Sequence, residues 1–279
     1  MGDTNSLIDI GPLSEVANTF LIKISEAVGG LLKPWQIKRV AQAEAEAEII
    51  QASAKIEISD LTRRAVARFV EEEKTKQLNM ESITKKALML INDESRPDQV
   101  ENDWISYFFD KCRIINNDEM QNLWSKILAG QVNSPGSYSK RTIDVLSIIE
   151  KKDALLFTEL CNFKIYPGIP LIYNAKDKIY NDRGIDFRSI NHLESLGLLH
   201  SNFFSGYVLQ ESSKQKTVNY FSNSVNLEFK KSENNEFNIG QVLLTQAGQQ
   251  LSFVCGGYQV DGFFDYLIAK WQSYKYKIL

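Results

Sequence analysis

Between Trp35 and Arg96 the chain contains neither glycine nor proline, and near its start lies the alternation Ala41-Gln-Ala-Glu-Ala-Glu-Ala-Glu48. Alanine and glutamate are strong helix formers, and the two residues that punctuate helices are missing. The stretch reads as one very long helix, Gln36 to Lys76, followed by a shorter one that Asn79 caps and that ends near Ile91. At roughly 1.5 Å per residue the first would measure about 60 Å. No compact domain in a chain of 279 residues covers both ends of such a rod. Part of it therefore has to meet another chain, another helix or a membrane. Ala47, Ile50, Ala54, Ile58, Leu61 and Ala65 step by three and four residues and form one narrow stripe. Ile50, Ala54, Ile58 and Leu61 are the candidate oligomerisation residues. Asp60 with Arg64 and Glu72 with Lys76 are the expected i,i+4 ion pairs.

Upstream, Leu13, Val16, Phe20, Ile24, Ala27, Val28 and Leu31 recur at helical spacing, so residues 1–35 read as an amphipathic segment. Glu15, Lys23 and Glu26 interrupt it, and it falls short of the roughly 18 uninterrupted apolar residues of a spanning helix. Leu13, Val16, Phe20, Ile24 and Trp35 are the candidate contacts to a membrane surface or a partner protein; docking of the same face on the chain's own fold or on a second subunit is the other reading. Trp35, with Lys33, Lys38 and Arg39, also suits a headgroup region.

Asn92-Asp-Glu-Ser-Arg-Pro97 reads as a linker. Ser95 and Pro97 start a helix to about Ile115, Asn117 caps the next, Gly130 stops it, and Ser139 opens another. Residues 93–163 thus form a helical bundle. After Phe163 strand-like runs appear, Lys164 to Ile172 and Tyr207 to Phe229. A helix around Ile185 to Ser195 ends in Leu196-Gly-Leu-Leu199, a hairpin follows, and Asn238 to Leu244 leads into Thr245-Gln-Ala-Gly-Gln-Gln-Leu251. That order is the layout of a winged helix. Phe263, Phe264, Leu267, Ile268 and Trp271 make a closing helix. The expected fold is mainly α with a C-terminal α+β part: an N-terminal amphipathic segment (1–35), a long helix with its follower (36–92), a helical bundle (93–163) and a winged-helix-like domain (164–279).

Composition narrows the chemistry. Hydrophobic content of 43% and aromatic content of 11% are enough for a real core. A net charge of −3 disfavours a dedicated nucleic-acid binder. The helix in the reading position of the winged-helix-like part offers Arg188, Asn191 and His192, but also Asp186 and Glu194, so nucleic acid is an unexpected partner. Cys112, Cys161 and Cys255 lie far apart in apolar neighbourhoods and read as reduced core cysteines. Cys161 paired with a distant histidine would be the one candidate thiol nucleophile, and nothing flags it over a core cysteine. The two histidines lack a second ligand pair at metal spacing, and Gly29-Gly30 and Gly256-Gly257 lack the phosphate-loop pattern. Asp103, Asp110, Asp118 and Glu119 are explained by helix caps and solvent faces. No catalytic residue, cofactor or metal is expected.

One segment carries more information: Leu123-Trp-Ser-Lys-Ile-Leu-Ala-Gly130 followed by Pro135-Gly-Ser-Tyr-Ser-Lys-Arg-Thr142. Lys140 and Arg141 fall in the first turn of a helix, where the macrodipole disfavours cations. They are the candidate contacts to an anion or partner, unless a carboxylate of the chain answers them. On this LWxKILAGxxxxPGSxSKRT pattern, with the AQAEAEAEI helix before it and LTQAGQQL after it, the chain resembles a bacterial domain-of-unknown-function family. The resemblance brings with it no established enzymatic activity, so it carries no catalytic residue onto this chain. The N-terminal half is also similar to the abortive-infection alpha proteins of phage defence, through its amphipathic start and alanine-rich helix.

The functional expectation is a non-enzymatic, self-assembling component of bacterial antiphage defence that engages a membrane or a partner defence protein. The alternative is a winged-helix transcriptional regulator that binds DNA. The expected location is the cytoplasm, with peripheral attachment to the inner membrane where the first helix meets lipid.

Overall fold

The computed structural model describes residues 14–28 and 60–279. The expected rod before Asp60, with Ile50, Ala54 and Ile58, lies outside the described residues, as do Leu13 and Trp35. Two compact units divide the chain, residues 1–140 and 141–279.

In the first unit, helix α1 (Glu15–Ala27) is capped by Ser14, whose hydroxyl accepts from the Ala17 N–H at 3.2 Å. Ala17, Phe20 and Ile24 share one face, and that face is inside. Phe20 and Ile24 are each 1% exposed, and α1 packs on helix α3 (Asn102–Cys112) and on the 3-10 turn Pro97–Gln99. The Ser106 hydroxyl fastens the end of α1 by donating to the Ala27 carbonyl at 2.6 Å. Of the two readings of this face, Phe20 and Ile24 follow docking on the chain's own fold and not contact with a membrane or partner, while Val16 is half-buried. Burying an aromatic or branched side chain gains about 2 kcal/mol, and the apolar face of α3 offers that burial within the chain.

Helix α2 (Asp60–Leu88) is continuous. The break expected at Asn79 is absent, because the Asn79 side chain leaves the helix backbone alone and reaches across to its neighbours. Its Nδ2 donates to the Arg113 carbonyl at 2.9 Å and to Asn116 Oδ1 at 2.6 Å. Its oxygen accepts from Gln121 Nε2 at 3.2 Å, and Gln121 Oε1 in turn accepts from the Ser82 hydroxyl at 2.7 Å. An asparagine so partnered no longer competes for the helix backbone. Around this network Met80, Ile83, Thr84 and Ala87 are buried, and this half of α2 docks on helix α4 (Asp118–Asn133).

Asn117 caps α4 as expected, accepting from the Met120 N–H at 3.0 Å. The helix does not stop at Gly130 but runs on to Asn133. Glycine at 130 serves packing: a Cβ there would lie 2.7 Å from the Tyr138 ring. Nor does Ser95 start a helix; it is buried against Asn92 and Asn133, and α3 begins at Asn102. Trp104 stacks on Phe108, and Phe108 meets Trp124 edge-on at 5.2 Å.

The second unit takes in more helix than the sequence suggests. Helix α5 (Lys140–Ile148) begins at its border, and helix α6 (Lys151–Cys161) lies wholly inside it. A boundary at 163/164 would cut through its core: Phe163 packs on both Tyr180 and Phe263 at 4.9 Å, and Tyr220 donates to the Asn162 carbonyl at 2.9 Å. The short strands β1 (Lys164–Ile165) and β2 (Ile169–Pro170) pair with each other. Helix α7 (Lys178–Asn181) and helix α8 (Phe187–Ser195) follow. Asp186 and Ser189 cap α8 reciprocally, and Gly197, at φ +78°, ends it.

The remaining strands form a nested ribbon where the sequence suggests a single hairpin. Strand β3 (Leu199–Ser201) pairs with β8 (Val242–Leu244), β4 (Tyr207–Glu211) with β7 (Asn235–Gly240), and β5 (Gln215–Tyr220) with β6 (Asn223–Glu228). Strand β9 (Lys277–Ile278) adds to the free side of β6. Between β8 and β9 lie helix α9 (Gln246–Ser252), capped by Thr245, and helix α10 (Phe263–Ser273). Gly248 in α9 is obligatory, since a Cβ would fall 1.8 Å from the Leu198 carbonyl oxygen. From α10, Phe263, Leu267 and Trp271 close the core. The architecture is mainly α with a C-terminal α+β part.

Replacing Asn79 by alanine leaves buried carbonyl and amide groups unpaired, at about 1–3 kcal/mol. Urea unfolding of Asn79→Ala is expected to show a lower midpoint at unchanged slope; an unaltered midpoint would mean that the network is not what seats α2.

Candidate functional site

The segment singled out in the sequence builds a corner between α4 and the chain that follows it. Gln131 is buried, and its Oε1 accepts from the Tyr138 N–H at 2.9 Å. The Tyr138 carbonyl accepts from Trp104 Nε1 at 2.7 Å. Gly136, at φ +89°, lets the intervening turn close, with the Ser137 N–H on the Ser134 carbonyl at 3.1 Å. Beside this corner lies a groove of about 480 Å³ that Gln99, Glu101, Trp104, Gln131, Tyr138 and Lys140 help to line. Lys140 is exposed, 3.8 Å from Asp103 Oδ2 and 5.7 Å from the Tyr107 ring centre. A carboxylate of the chain thus answers the cation, and Glu101 adds a second negative charge nearby. An anion gains little net attraction from such a groove. Arg141 is exposed as the first residue of the second unit.

Of the expected oligomerisation residues, the structure describes Leu61, which is 70% exposed on α2. Residues 60–75 of that helix are exposed throughout, with Val70 half-buried. Phe69, not singled out from the sequence, extends the stripe at 62% exposure, and Val66, 41% exposed, lies outside it. The position of Phe69, four residues after Ala65, was a readable signal. The ion pairs form with other partners than expected. Asp60 takes Arg63 at 3.1 Å instead of Arg64, Glu72 takes Arg68 at 2.5 Å, and Lys76 takes Glu73 at 2.6 Å.

In the second unit the sequence missed two juxtapositions, because the partners are distant in the chain. His192, read as a surface or capping residue, places Nε2 2.7 Å from Asp153 Oδ1. Asp153 is buried, and its other oxygen accepts from the Glu150 N–H at 3.0 Å, so it caps α6 while holding the imidazole. Burial pushes the Asp153 carboxyl up, but the imidazole, the Glu150 N–H and Lys152 outweigh it and hold the carboxyl below its usual range. Cys161 and Cys255 also meet. Hydrogen bonding to Cys255 and burial together push the Cys161 thiol well up, which makes it a poor nucleophile at neutral pH. Close by, Tyr258 donates to Glu159 Oε1 at 2.9 Å and accepts from Arg183 Nη1 at 2.7 Å, pinning the loop after α9 to α6. Among the described residues no group of three or more His, Cys, Asp or Glu side chains could hold a metal ion. No helix among them is long and apolar enough to cross a membrane.

A carboxyl held low when folded stabilises the protein above the unfolded carboxyl pKa, and that contribution fades as pH falls through the folded value. Asp153→Asn is therefore expected to lower stability at pH 7 and to flatten the loss of stability below about pH 4. Unfolding curves from pH 7 to pH 3 check this; an unchanged acid limb would place the acid sensitivity elsewhere.

No curated protein and no solved structure significantly matches the chain. A family model does match, from Arg63 in the exposed half of α2 to Ile268 in α10, and α1 lies outside it. Most of the length falls under that match at residues 63–268, and the chain belongs to the family described as protein of unknown function, DUF2806.

Proposed function

We propose that this protein is a non-enzymatic, self-assembling component of bacterial antiphage defence that acts in the cytoplasm by engaging protein partners, with α2 as the assembly element. The observation that carries the reading is the exposed half of α2. A helix gains most of its stability in water by packing an amphipathic face. Here residues 60–75 keep Leu61, Val66 and Phe69 in solvent, although the docked half of the same helix buries its own apolar side chains. An apolar stripe on an exposed helix is the kind of surface that proteins use for association. The setting in phage defence rests on the similarity of the N-terminal half to abortive-infection alpha proteins. Membrane engagement through α1 is not part of the proposal, since Phe20 and Ile24 are committed to the interior.

The winged-helix reading of the second unit has weaker support as a DNA-binding device. His192 is held by Asp153, and Glu194 is tied to the Ser201 N–H at 3.1 Å. Arg188 is the one full cation on α8, and reading a major groove calls for several donors.

Light scattering of the full chain is expected to give a mass above one subunit, and Leu61→Asp with Phe69→Asp to return it to one subunit without loss of helix signal. In bacteria challenged with phage, the wild-type protein is expected to reduce plating and the double variant to lose that protection. A wild-type chain that stays monomeric at all concentrations would end the assembly reading; assembly without protection would end the defence reading.

A further inference from the structure

We propose that Cys161 and Cys255 close into a reversible disulfide when the protein meets a peroxide, which makes the end of α6 and the loop after α9 an oxidation-sensitive clasp. The site lies within the second unit and does not depend on the assembly reading. Both cysteines are free thiols. They are far apart in the chain, yet the Cys161 thiol is hydrogen-bonded to Cys255. Contacts on both sides hold this meeting in place. Before Cys255, Lys164 Nζ donates to the Ser252 carbonyl at 2.6 Å and lies 5.6 Å from the centre of the Phe253 ring. After it, the Tyr258 N–H donates to Asn162 Oδ1 at 2.9 Å, and the Tyr258 hydroxyl donates to Glu159. Gly257 comes so near Asn162 that a Cβ there would lie 3.0 Å from its Oδ1. Glu159, Asn162 and Lys164 thus bracket Cys161, as Ser252, Phe253 and Tyr258 bracket Cys255. A disulfide requires backbones held close, with Cα atoms within about 7 Å, and a contact bracketed on both sides supplies that approach.

The two sulfurs differ in access, and that sets the order of events. Cys161 is 2% exposed, and hydrogen bonding to Cys255 and burial push its thiol up. Cys255 is part-exposed, unlike the core cysteine that its apolar neighbours suggest. It is therefore the sulfur that a small oxidant reaches. The Lys164 ammonium supplies the nearby positive charge that a thiolate favours. As a thiolate, Cys255 attacks one oxygen of the peroxide. The S–O bond forms, the O–O bond breaks, and the leaving hydroxide takes up a proton as water. The sulfur has given two electrons to the peroxide and is now a sulfenic acid. The Cys161 sulfur then attacks the Cys255 sulfur: the S–S bond forms, the S–O bond breaks, and hydroxide leaves as water with the Cys161 proton. Two thiols and one peroxide become one disulfide and two waters, and a dithiol reductant reverses the change by exchange. A thiol waiting alongside also captures the sulfenic acid before more peroxide carries it to the irreversible sulfinic acid. Cys112 takes no part, being wholly buried in α3 of the first unit.

The test exposes the full chain to a small excess of hydrogen peroxide, alkylates the remaining thiols under denaturing conditions and maps the peptides. The wild type is expected to lose two of its three thiols, to yield a Cys161–Cys255 peptide pair linked within one chain, and to regain both thiols with dithiothreitol. Cys161→Ala is expected to stop at the sulfenic acid, seen as a dimedone adduct on Cys255. Cys255→Ala is expected to leave Cys161 unreacted under the same exposure. Circular dichroism shows whether these variants fold; if they do not, the wild-type peptide map decides alone. Three wild-type results would overturn the clasp: three thiols that survive the peroxide, a Cys255 that accumulates as sulfenic or sulfinic acid beside a Cys161 thiol, or a disulfide joining the Cys255 residues of two chains.

Discussion

The docking of the second half of α2 on α4 sets up everything that is distinctive in the first unit. Four polar side chains, Asn79, Ser82, Asn116 and Gln121, exchange hydrogen bonds within that contact, and Gln121 reaches the Ile115 carbonyl at 2.8 Å besides. Buried polar groups cost free energy unless they are partnered, so a network of this kind admits one seating of the two helices. With that seating, the helix crosses from a packed environment to solvent near Gln77 without changing its backbone. The exposed half is a continuation of a helix that is already nucleated and held at one end, which spares it the cost of starting alone.

The second unit is organised by aromatic rings and by backbone pairing. Phe163, Tyr180, Tyr220 and Phe263 meet edge-on with centres about 5–6 Å apart, the arrangement that ring quadrupoles favour. Three of its tyrosines also direct hydroxyls to fixed partners. Tyr220 reaches the Asn162 carbonyl, Tyr180 the Leu171 carbonyl at 2.8 Å, and Tyr266 Asp177 Oδ2 at 2.6 Å. Burial and the Asp177 carboxylate push the Tyr266 hydroxyl well above its usual range, so it stays a donor throughout the physiological range. Such a core resists opening, and the loop carrying Cys255 and Tyr258 is tied down at its edge. The chemistry of this unit is that of a held framework: its one histidine–aspartate pair joins α8 to the cap of α6.

Legibility varied with the range of the interaction. Asn117 as a cap and Gly197 as a helix stop depend on a few neighbouring residues, and each could be read locally. Asn79 and Gly130 could not. Both carry strong local signals for a helix end, and both signals were overruled by partners found at a distance, Arg113 and Asn116 for one and the Tyr138 ring for the other. The face of α1 was visible as amphipathic, but periodicity states only that a face will be covered. That the cover is α3 and the turn before it depends on long-range packing. The same limit hid the meeting of Cys161 with Cys255 and of Asp153 with His192, since nothing in one stretch of residues records which other stretch lies against it.

The sequence by itself determined that this chain is mainly helical with an α+β end, that its N-terminal half holds an uninterrupted helix former, and that the helix at Leu61 carries an apolar stripe. Those properties follow from composition and period, which act over one or two turns. Only the tertiary structure decided which apolar faces find cover within the chain and which do not. Phe20 and Ile24 are taken in because α3 presents a matching apolar face, while Leu61, Val66 and Phe69 stay in solvent because no element of the described chain packs over them. Hydrophobic burial has no direction of its own, so geometry alone chooses between an interior and an interface.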